Sequence, residues 1–403
     1  MGIPMSNCTY SHNRFRQPSP DWPDELTAAF TADDVLTYHH SLTGYHPTPT
    51  VRLPALAESL GVQDIIVKDE SHRFDLKAFK VLGASYAIYR FLKAVWEEES
   101  NERFEIGRIM DAGPTGPWAG RYTFCTATDG NHGRAVAWTA KRLFQKAVIY
   151  MPEGTVPARI RNIENEGARV EIIDGTYDEA VRRVAADANT HGWQVISDTA
   201  YFGYTIIPKY IMAGYTTMFR EMEPEIHPAA EPGVDFVFLQ AGVGSFAAAA
   251  AWYYVNRYAS RRPKLISVEP VEAACMLASI STPDGTMTTS NGSFQTIMAG
   301  LNCGTPSIIA WPFIRDSFDM LVAITDEYAI DAMRRYYHPL SGDRRIISGE
   351  SGAAGLGALL ALLHDDRFRD ARDALGLGRD SRILLFNTEG DTDPDSFSRI
   401  VTS

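Results

Sequence analysis

The stretch "RFDLKAFKVLGASYA" holds an amine, Lys80, between Phe79 and Val81 and just ahead of Gly83 and Ala84. A lysine held among apolar neighbours loses solvation, which favours the neutral amine and frees it for Schiff-base chemistry. The competing reading is a solvated helix lysine such as its neighbour Lys77. A second stretch, "CTATDGNHGRAVAW" (Cys125 to Trp138), sets the carboxylate of Asp129 in a Gly-Asn-His-Gly turn ahead of an alanine-rich helical pattern. That acid is either a reacting group or an Asx turn that caps the helix after it. In a third stretch, "QAGVGSFA", Gly242 and Gly244 let the backbone turn tightly and Ser245 stands where a helix begins. Several N–H groups then converge on one point and make an anion cradle, although such turns also serve packing alone.

The glycine loop admits two ligands. Gly242, Gly244 and Ala247 fit the dinucleotide fingerprint G-x-G-x-x-A, and Glu269 ends the next strand where a ribose-binding acid would sit. A nicotinamide-dependent oxidoreductase is therefore a rival reading. The combination of residues points elsewhere: a reactive lysine, a phosphate cradle and an Asn-bearing glycine turn are the three grips that pyridoxal 5'-phosphate requires. Nicotinamide binding needs no such lysine.

The elements that must position these groups have the rhythm of an α/β protein with a mainly parallel sheet. "DIIVKDE" (Asp64 to Glu70) predicts a strand, with a helix from about Ala78. "KAVIYMPEG" predicts a strand, "PARIRNIENEGA" a helix and "RVEIID" a strand. "DFVFLQAGVGS" runs from strand into the glycine turn and on to the helix "FAAAAAWYYVNRYA", while "KLISVEP" and "SRILLFNTEGD" repeat the strand-then-loop design. "DAGPTGPWAG" (Asp111 to Gly120) predicts a surface loop.

Composition sets the outer limits. The chain has 403 residues, enough for two domains, and 45% of them are hydrophobic, so both can bury cores. A formal charge of −12 repels phosphate backbones and argues against nucleic acid or an anionic membrane as partner, which leaves small-molecule chemistry. Cys8, Cys125, Cys275 and Cys303 are scattered singly, with no spacing that closes a metal site, so no metal is expected. No signal-like segment and no apolar run of about eighteen residues stands out, and the expected location is cytoplasmic. "MGIPMS" matches the myristoylation pattern at Gly2 and Ser6, a short pattern that matches by chance often, and Asn7 and Asn291 sit in glycosylation sequons that are expected to be idle without a secretory signal.

The sequence resembles the fold-type II pyridoxal-phosphate enzymes, the group of threonine deaminase, serine racemase and the tryptophan synthase β chain. The match runs in order from "YHPTPTVRLPALAESLGVQDIIVKDESHRFDLKAFK" through "DGNHGRAVAWTAKRL", "MPEGTVPARIRNIENEGARVEIIDGTYDEA", "QAGVGS" and "SVEP" to "FNTEGDTDP". The resemblance implies a two-domain α/β fold of mainly parallel open sheets with helices on both faces. It implies a larger cofactor domain, residues 1–88 and 226–403, and a smaller inserted domain, residues 89–225, with the site in the cleft. It also implies a homodimer. Lys80 would carry the cofactor as an imine, Asn131 would hold the ring hydroxyl, and Gly242, Val243, Gly244 and Ser245 would hold the phosphate. Thr388 would place a neutral hydroxyl against the pyridine nitrogen, which favours β-elimination over transamination.

Within that family "TDGNHG", "SDTAYFGYTIIPKYIMAGY", "IMAGLNCG" and "SGESGAAGLGAL" are similar to the branch that releases ammonia from 2,3-diaminopropionate. Asp198 of "SDTA" would then be a second acid beside Asp129, although it too reads as a cap. Two carboxylates suit a substrate with an ammonium on its β carbon, and one on each face of the cofactor would serve both enantiomers. The implied reaction is α,β-elimination of ammonia from 2,3-diaminopropionate, D, L or both, giving pyruvate and ammonia. A serine- or threonine-type deaminase or a β-replacement enzyme stays open. His132 has no assigned role, and Glu350 reads as a wall or helix-start residue. The chain departs from that branch at Asp75 and Lys77, at Tyr201 to Tyr204, and in an insertion around Pro114 to Trp118 expected to reshape the site's mouth.

Overall fold

A computed structural model of the chain describes residues 8–32, 34–128, 130–175, 177–226 and 231–403, with backbone only at 177 and 178. Asp129 lies outside the described residues, as do Gly2, Ser6 and Asn7 of the modification patterns. The strands are β1 (Thr9–His12), β2 (Thr50–Arg52), β3 (Asp64–Asp69), β4 (Thr123–Ala127), β5 (Lys146–Pro152), β6 (Arg169–Ile173), β7 (Gln194–Val195), β8 (Phe236–Gln240), β9 (Lys264–Pro270), β10 (Met320–Ile324) and β11 (Arg382–Asn387). Two compact units emerge, one of Met1–Thr31, Gly44–Ala78 and Thr216–Ser403, the other of Ala32–Thr43 and Phe79–Tyr215.

The larger unit is built on a seven-stranded sheet in the order β1-β10-β9-β8-β11-β3-β2. Its five central strands run parallel, and both edges are closed by short antiparallel strands. β8 and β10 are buried at every residue, because helices cover both faces and no alternate position meets water. One apolar core joins those strands to the helix Glu350–His364, whose residues 350 to 362 are all buried. The edge strands β1 and β2, of four and three residues, and the buried β10 are elements the sequence reading did not name.

The smaller unit carries a four-stranded parallel sheet in the order β6-β5-β4-β7. Two of its helices matter most here, α1 (Lys80–Ser100) and α2 (Asn131–Arg142). The sequence reading put residues 1–88 with the larger domain and began the smaller one at 89. In the structure the first turns of α1 lie in the smaller unit together with the helix Asp34–Ser41. The reason is local: the Tyr38 hydroxyl donates to the Ser85 carbonyl at 3.1 Å, and His39 Nε2 lies 2.9 Å from the Leu82 carbonyl. Among the described residues no helix is long and apolar enough to cross a membrane.

Candidate active site

In the smaller unit the chain leaves β4 at Ala127 and enters α2 at Asn131. Thr128 shapes the turn, its hydroxyl accepting the N–H groups of Gly130 at 3.0 Å and Gly133 at 3.1 Å. A Cβ at position 133 would overlap Thr128 Cγ2 and sit 2.6 Å from Ile149 Cγ2, so a glycine there lets α2 lie close on the sheet. Asn131 is the first residue of the helix and His132 the second. His132 is buried, and its Nε2 lies 2.7 Å from the Ile196 carbonyl. A protonated Nε2 makes that contact, which leaves Nδ1 facing Asp198 Oδ2 at 4.0 Å.

Lys80 opens α1 with its side chain 19% exposed, against 44% for Lys77, whose amine pairs with Asp391 in the larger unit. Phe79 and Val81 on either side are buried, and Nζ lies 5.5 Å from the Phe79 ring centroid. Nζ is ion-paired with Asp198 Oδ2. Burial pushes the Asp198 carboxyl up, but the Lys80 ammonium and then His132 outweigh it and hold the group at about 2, a carboxylate at neutral pH. Lys80, Asp198 and His132 are thus brought together from three separate segments. The carboxylate of Asp198 faces the amine.

The segment bearing Asp198 is pinned by Tyr204, whose hydroxyl accepts the Ser197 N–H at 2.8 Å and donates to the Val195 carbonyl at 3.0 Å. The departure at Tyr201 to Tyr204 is a tight hairpin, its two tyrosine rings stacked at 5.1 Å and Phe202 at its tip 98% exposed. A further residue escaped the sequence reading. Tyr215 is fully buried, its ring 4.8 Å from that of Phe79, and its hydroxyl has no hydrogen-bond partner among the described residues. Gly83 makes room for it, since a Cβ there would lie 2.6 Å from Tyr215 Cε1. The close pairing of glycine and tyrosine across 132 residues leaves no local pattern from which it could be read. The Pro114 to Trp118 insertion does not lie at the mouth of this cluster. Trp118 packs tilted against Trp96, ring centroids 4.7 Å apart, about 24 Å along α1 from Lys80.

In the larger unit β8 runs into the loop Ala241 to Gly244, and the helix α3 (Ser245–Tyr258) follows. Gly244 adopts φ +96°, a left-handed conformation, and a Cβ on it would lie 2.7 Å from Met276 Cε and 2.8 Å from Ile314 Cδ1. The residue at the amino end of α3 is Gly244, which has no side chain with which to cap it. The Val243 carbonyl accepts the Ser307 N–H at 2.9 Å. Thr388 is buried directly after β11. Its surroundings are knit by Asn387, which donates to Asp69 Oδ1 at 2.8 Å, and by Glu389, which accepts the Ser351 N–H at 3.0 Å. Glu350 accepts from the Ser396 hydroxyl at 2.7 Å, which makes it a support for the helix it begins.

Glu269, which the nicotinamide reading needs on a ribose, is fully buried, with its two oxygens on the N–H groups of Met276 at 2.7 Å and Leu277 at 2.9 Å. Its carboxylate is spent on the chain's own backbone. The residues fit pyridoxal phosphate instead: backbone N–H groups and the positive end of α3 suit a dianionic phosphate, Ser245 and Thr388 offer hydroxyls, and Lys80 offers a half-buried amine. Among the described residues no cluster of His, Cys, Asp and Glu could hold a metal ion.

Comparison with known proteins agrees. The family model "Pyridoxal-phosphate dependent enzyme" matches residues 42–386. The diaminopropionate ammonia-lyase of Salmonella typhimurium is 41% identical, over 91% of each chain, and that of Escherichia coli K12 is 40% identical, over 90% of this chain and 89% of its own. The crystal structure of the Escherichia coli enzyme in complex with an aminoacrylate-PLP azomethine reaction intermediate superposes with a TM-score of 0.85 at 37% identity, covering 98% of this chain and 96% of that one. Its complex with D-serine gives 0.87 at 36% identity over the same shares. A tomato threonine deaminase, 20% identical with a TM-score of 0.72, shares the fold. The chain belongs to the pyridoxal-phosphate dependent enzyme family, in the branch that holds the diaminopropionate ammonia-lyases.

Proposed function

We propose that this chain eliminates ammonia from 2,3-diaminopropionate, D, L or both, yielding pyruvate and a second ammonia. The observation that carries the reading is the Lys80–Asp198 ion pair, a half-buried amine against a buried carboxylate that is held ionised. Diaminopropionate presents an ammonium on its β carbon, and a buried carboxylate is a match in charge and in hydrogen bonding.

Bound pyridoxal phosphate supplies an electron-withdrawing system that acidifies the substrate's Cα–H bond. Lys80 would hold it covalently through its amine, the group that a primary amine of the substrate can replace. Gly242, Val243, Gly244 and Ser245 would hold the phosphate, Asn131 would hold the ring hydroxyl, and Thr388 would offer a neutral hydroxyl to the ring nitrogen. One of Asp198, Asp129 and Lys80, according to the isomer, takes the Cα proton. The electron pair released from Cα–H forms the Cα–Cβ double bond as the Cβ–N bond breaks, and the β-ammonium departs as ammonia. Asp198 faces the amines and holds their charge, while His132, fixed by the Ile196 carbonyl, keeps Asp198 in place. The released 2-aminoacrylate takes up water and gives pyruvate and ammonia. We propose further that it acts on this small amino acid as a cytoplasmic homodimer.

The test is pyruvate release by the purified protein from D- and L-2,3-diaminopropionate against serine and threonine. Turnover of at least one diaminopropionate isomer well above both hydroxy amino acids supports the reading. Preference for serine or threonine overturns it.

A further inference from the structure

We infer that Glu269 is a positioning residue for the cofactor, holding through Cys275 and Met276 the floor of the glycine loop Gly242 to Ser245 in the shape that takes a phosphate. The inference rests on the reading that this loop binds the phosphate.

Glu269 sits near the end of β9, beside the end of β8, and is fully buried. Glutamate is almost never buried so completely unless it is paired or hydrogen-bonded. Burial is the largest influence on its carboxyl and pushes it up to about 8, while the N–H groups of Met276 and Leu277 pull it back. Those two bonds, at 2.7 and 2.9 Å, set the first turn of the helix Cys275–Ser281. That turn touches the glycine loop twice. Cys275 Sγ approaches the Gly242 carbonyl at 3.7 Å, and Met276 Cε occupies the space beneath Gly244 that any Cβ would need. The loop is further tied to the same strand by the Ala241 N–H, which donates to the Val268 carbonyl at 2.9 Å. From β9 to the loop, each contact passes within seven residues of Glu269. The opposite wall, Ser307 on Val243, is independent of it.

The experiment is a cofactor titration of resolved protein, wild type against Glu269→Gln, Glu269→Ala and Ser245→Ala, followed by the visible absorbance of the bound cofactor and by the 31P resonance of its phosphate. Glu269→Ala is expected to weaken cofactor binding about tenfold, as loss of a buried hydrogen-bond acceptor does, and to move the 31P resonance. Glu269→Gln, which keeps the shape and one acceptor, shows a smaller shift in the same direction, and it decides the matter if the alanine variant does not fold. In both, activity lost at limiting cofactor returns with excess cofactor. Wild-type affinity and an unmoved 31P resonance in Glu269→Gln and Glu269→Ala overturn the inference. If Ser245→Ala weakens binding in that same experiment, only the role of Glu269 falls; if Ser245→Ala is also without effect, the phosphate-loop reading falls with it.

Discussion

Replacement of Asp198 by asparagine removes charge without removing bulk, and its consequences can be worked through from the ion pair with Lys80. In the structure two opposing influences act on this carboxyl, burial pushing it up and the Lys80 ammonium, with His132, holding it at about 2. A carboxylate that acidic is a poor base. Covalent engagement of Lys80 takes the ammonium away from Asp198, and burial then pushes the carboxyl up into the range where it accepts a proton usefully. The acid limb of kcat/KM, for the isomer whose Cα proton Asp198 takes, should therefore lie well above 3.8, the ordinary aspartate value. Positioned general bases contribute on the order of 10²- to 10⁴-fold, or about 3–5 kcal/mol of barrier. Asp198→Asn should lose that much kcat on one isomer of diaminopropionate and far less on the other, and Asp129→Asn should show the reverse preference. The assay is initial-rate pyruvate formation from each isomer between pH 5 and 9. Equal and small losses on both isomers, or an acid limb that persists in Asp198→Asn, would refute the reasoning.

Other expectations follow from single contacts. Gly244→Ala puts a Cβ against Met276 Cε and Ile314 Cδ1 at a left-handed φ, and should cost about 1–3 kcal/mol of stability and lower cofactor affinity; an unchanged thermal midpoint and titration would count against the cradle. Glu269, raised from 4.5 to about 8, draws its stabilisation from the neutral acid, which is fully present below 4.5 and lost as pH rises through 8. The cofactor-free wild type should thus lose stability against Glu269→Gln over that window, by about 5 kcal/mol at most, as read from melting curves at each pH; a pH-independent difference would contradict this. Glu221 lies between Lys68 and Arg73, all three side chains about 1% exposed, and those cations overcome burial to hold its carboxyl at about 2. Glu221→Gln removes the carboxylate paired with Lys68, while Arg73 keeps Glu70, and the buried ammonium left behind should cost about 3–5 kcal/mol, measured by denaturant unfolding; a loss under 1 kcal/mol would show the pair to be dispensable.

Much of the fold could be read from the sequence because parallel strands buried on both faces are continuous apolar runs. "KLISVEP" coincides with β9, and "RVEIID" and "SRILLFNTEGD" contain β6 and β11. The edge strands β1 and β2 pair antiparallel over only four and three residues, too short for alternation to register. The division between units was less visible. The helix Asp34–Ser41 joins the smaller unit through side-chain to backbone bonds at Ser85 and Leu82, and such long-range pairing leaves no periodicity in the chain. At the site, Lys80 and the glycine loop stand out by residue type and motif, whereas Asp198, which the structure pairs with Lys80, stands out only through the family resemblance. Tyr215, Tyr204 and Thr128 do not, since a tyrosine in an apolar helix or a threonine after a strand looks like ordinary core. Glu269 was noticed for a role its buried hydrogen bonds preclude.

The central claim is that the amine of Lys80 carries the cofactor. Borohydride reduction of the purified protein followed by peptide mass mapping tests it most directly. The account predicts one phosphopyridoxyl group per chain, on the peptide containing Lys80, and none in Lys80→Ala. A label on another lysine, or no label on a protein that still turns over substrate, would contradict it.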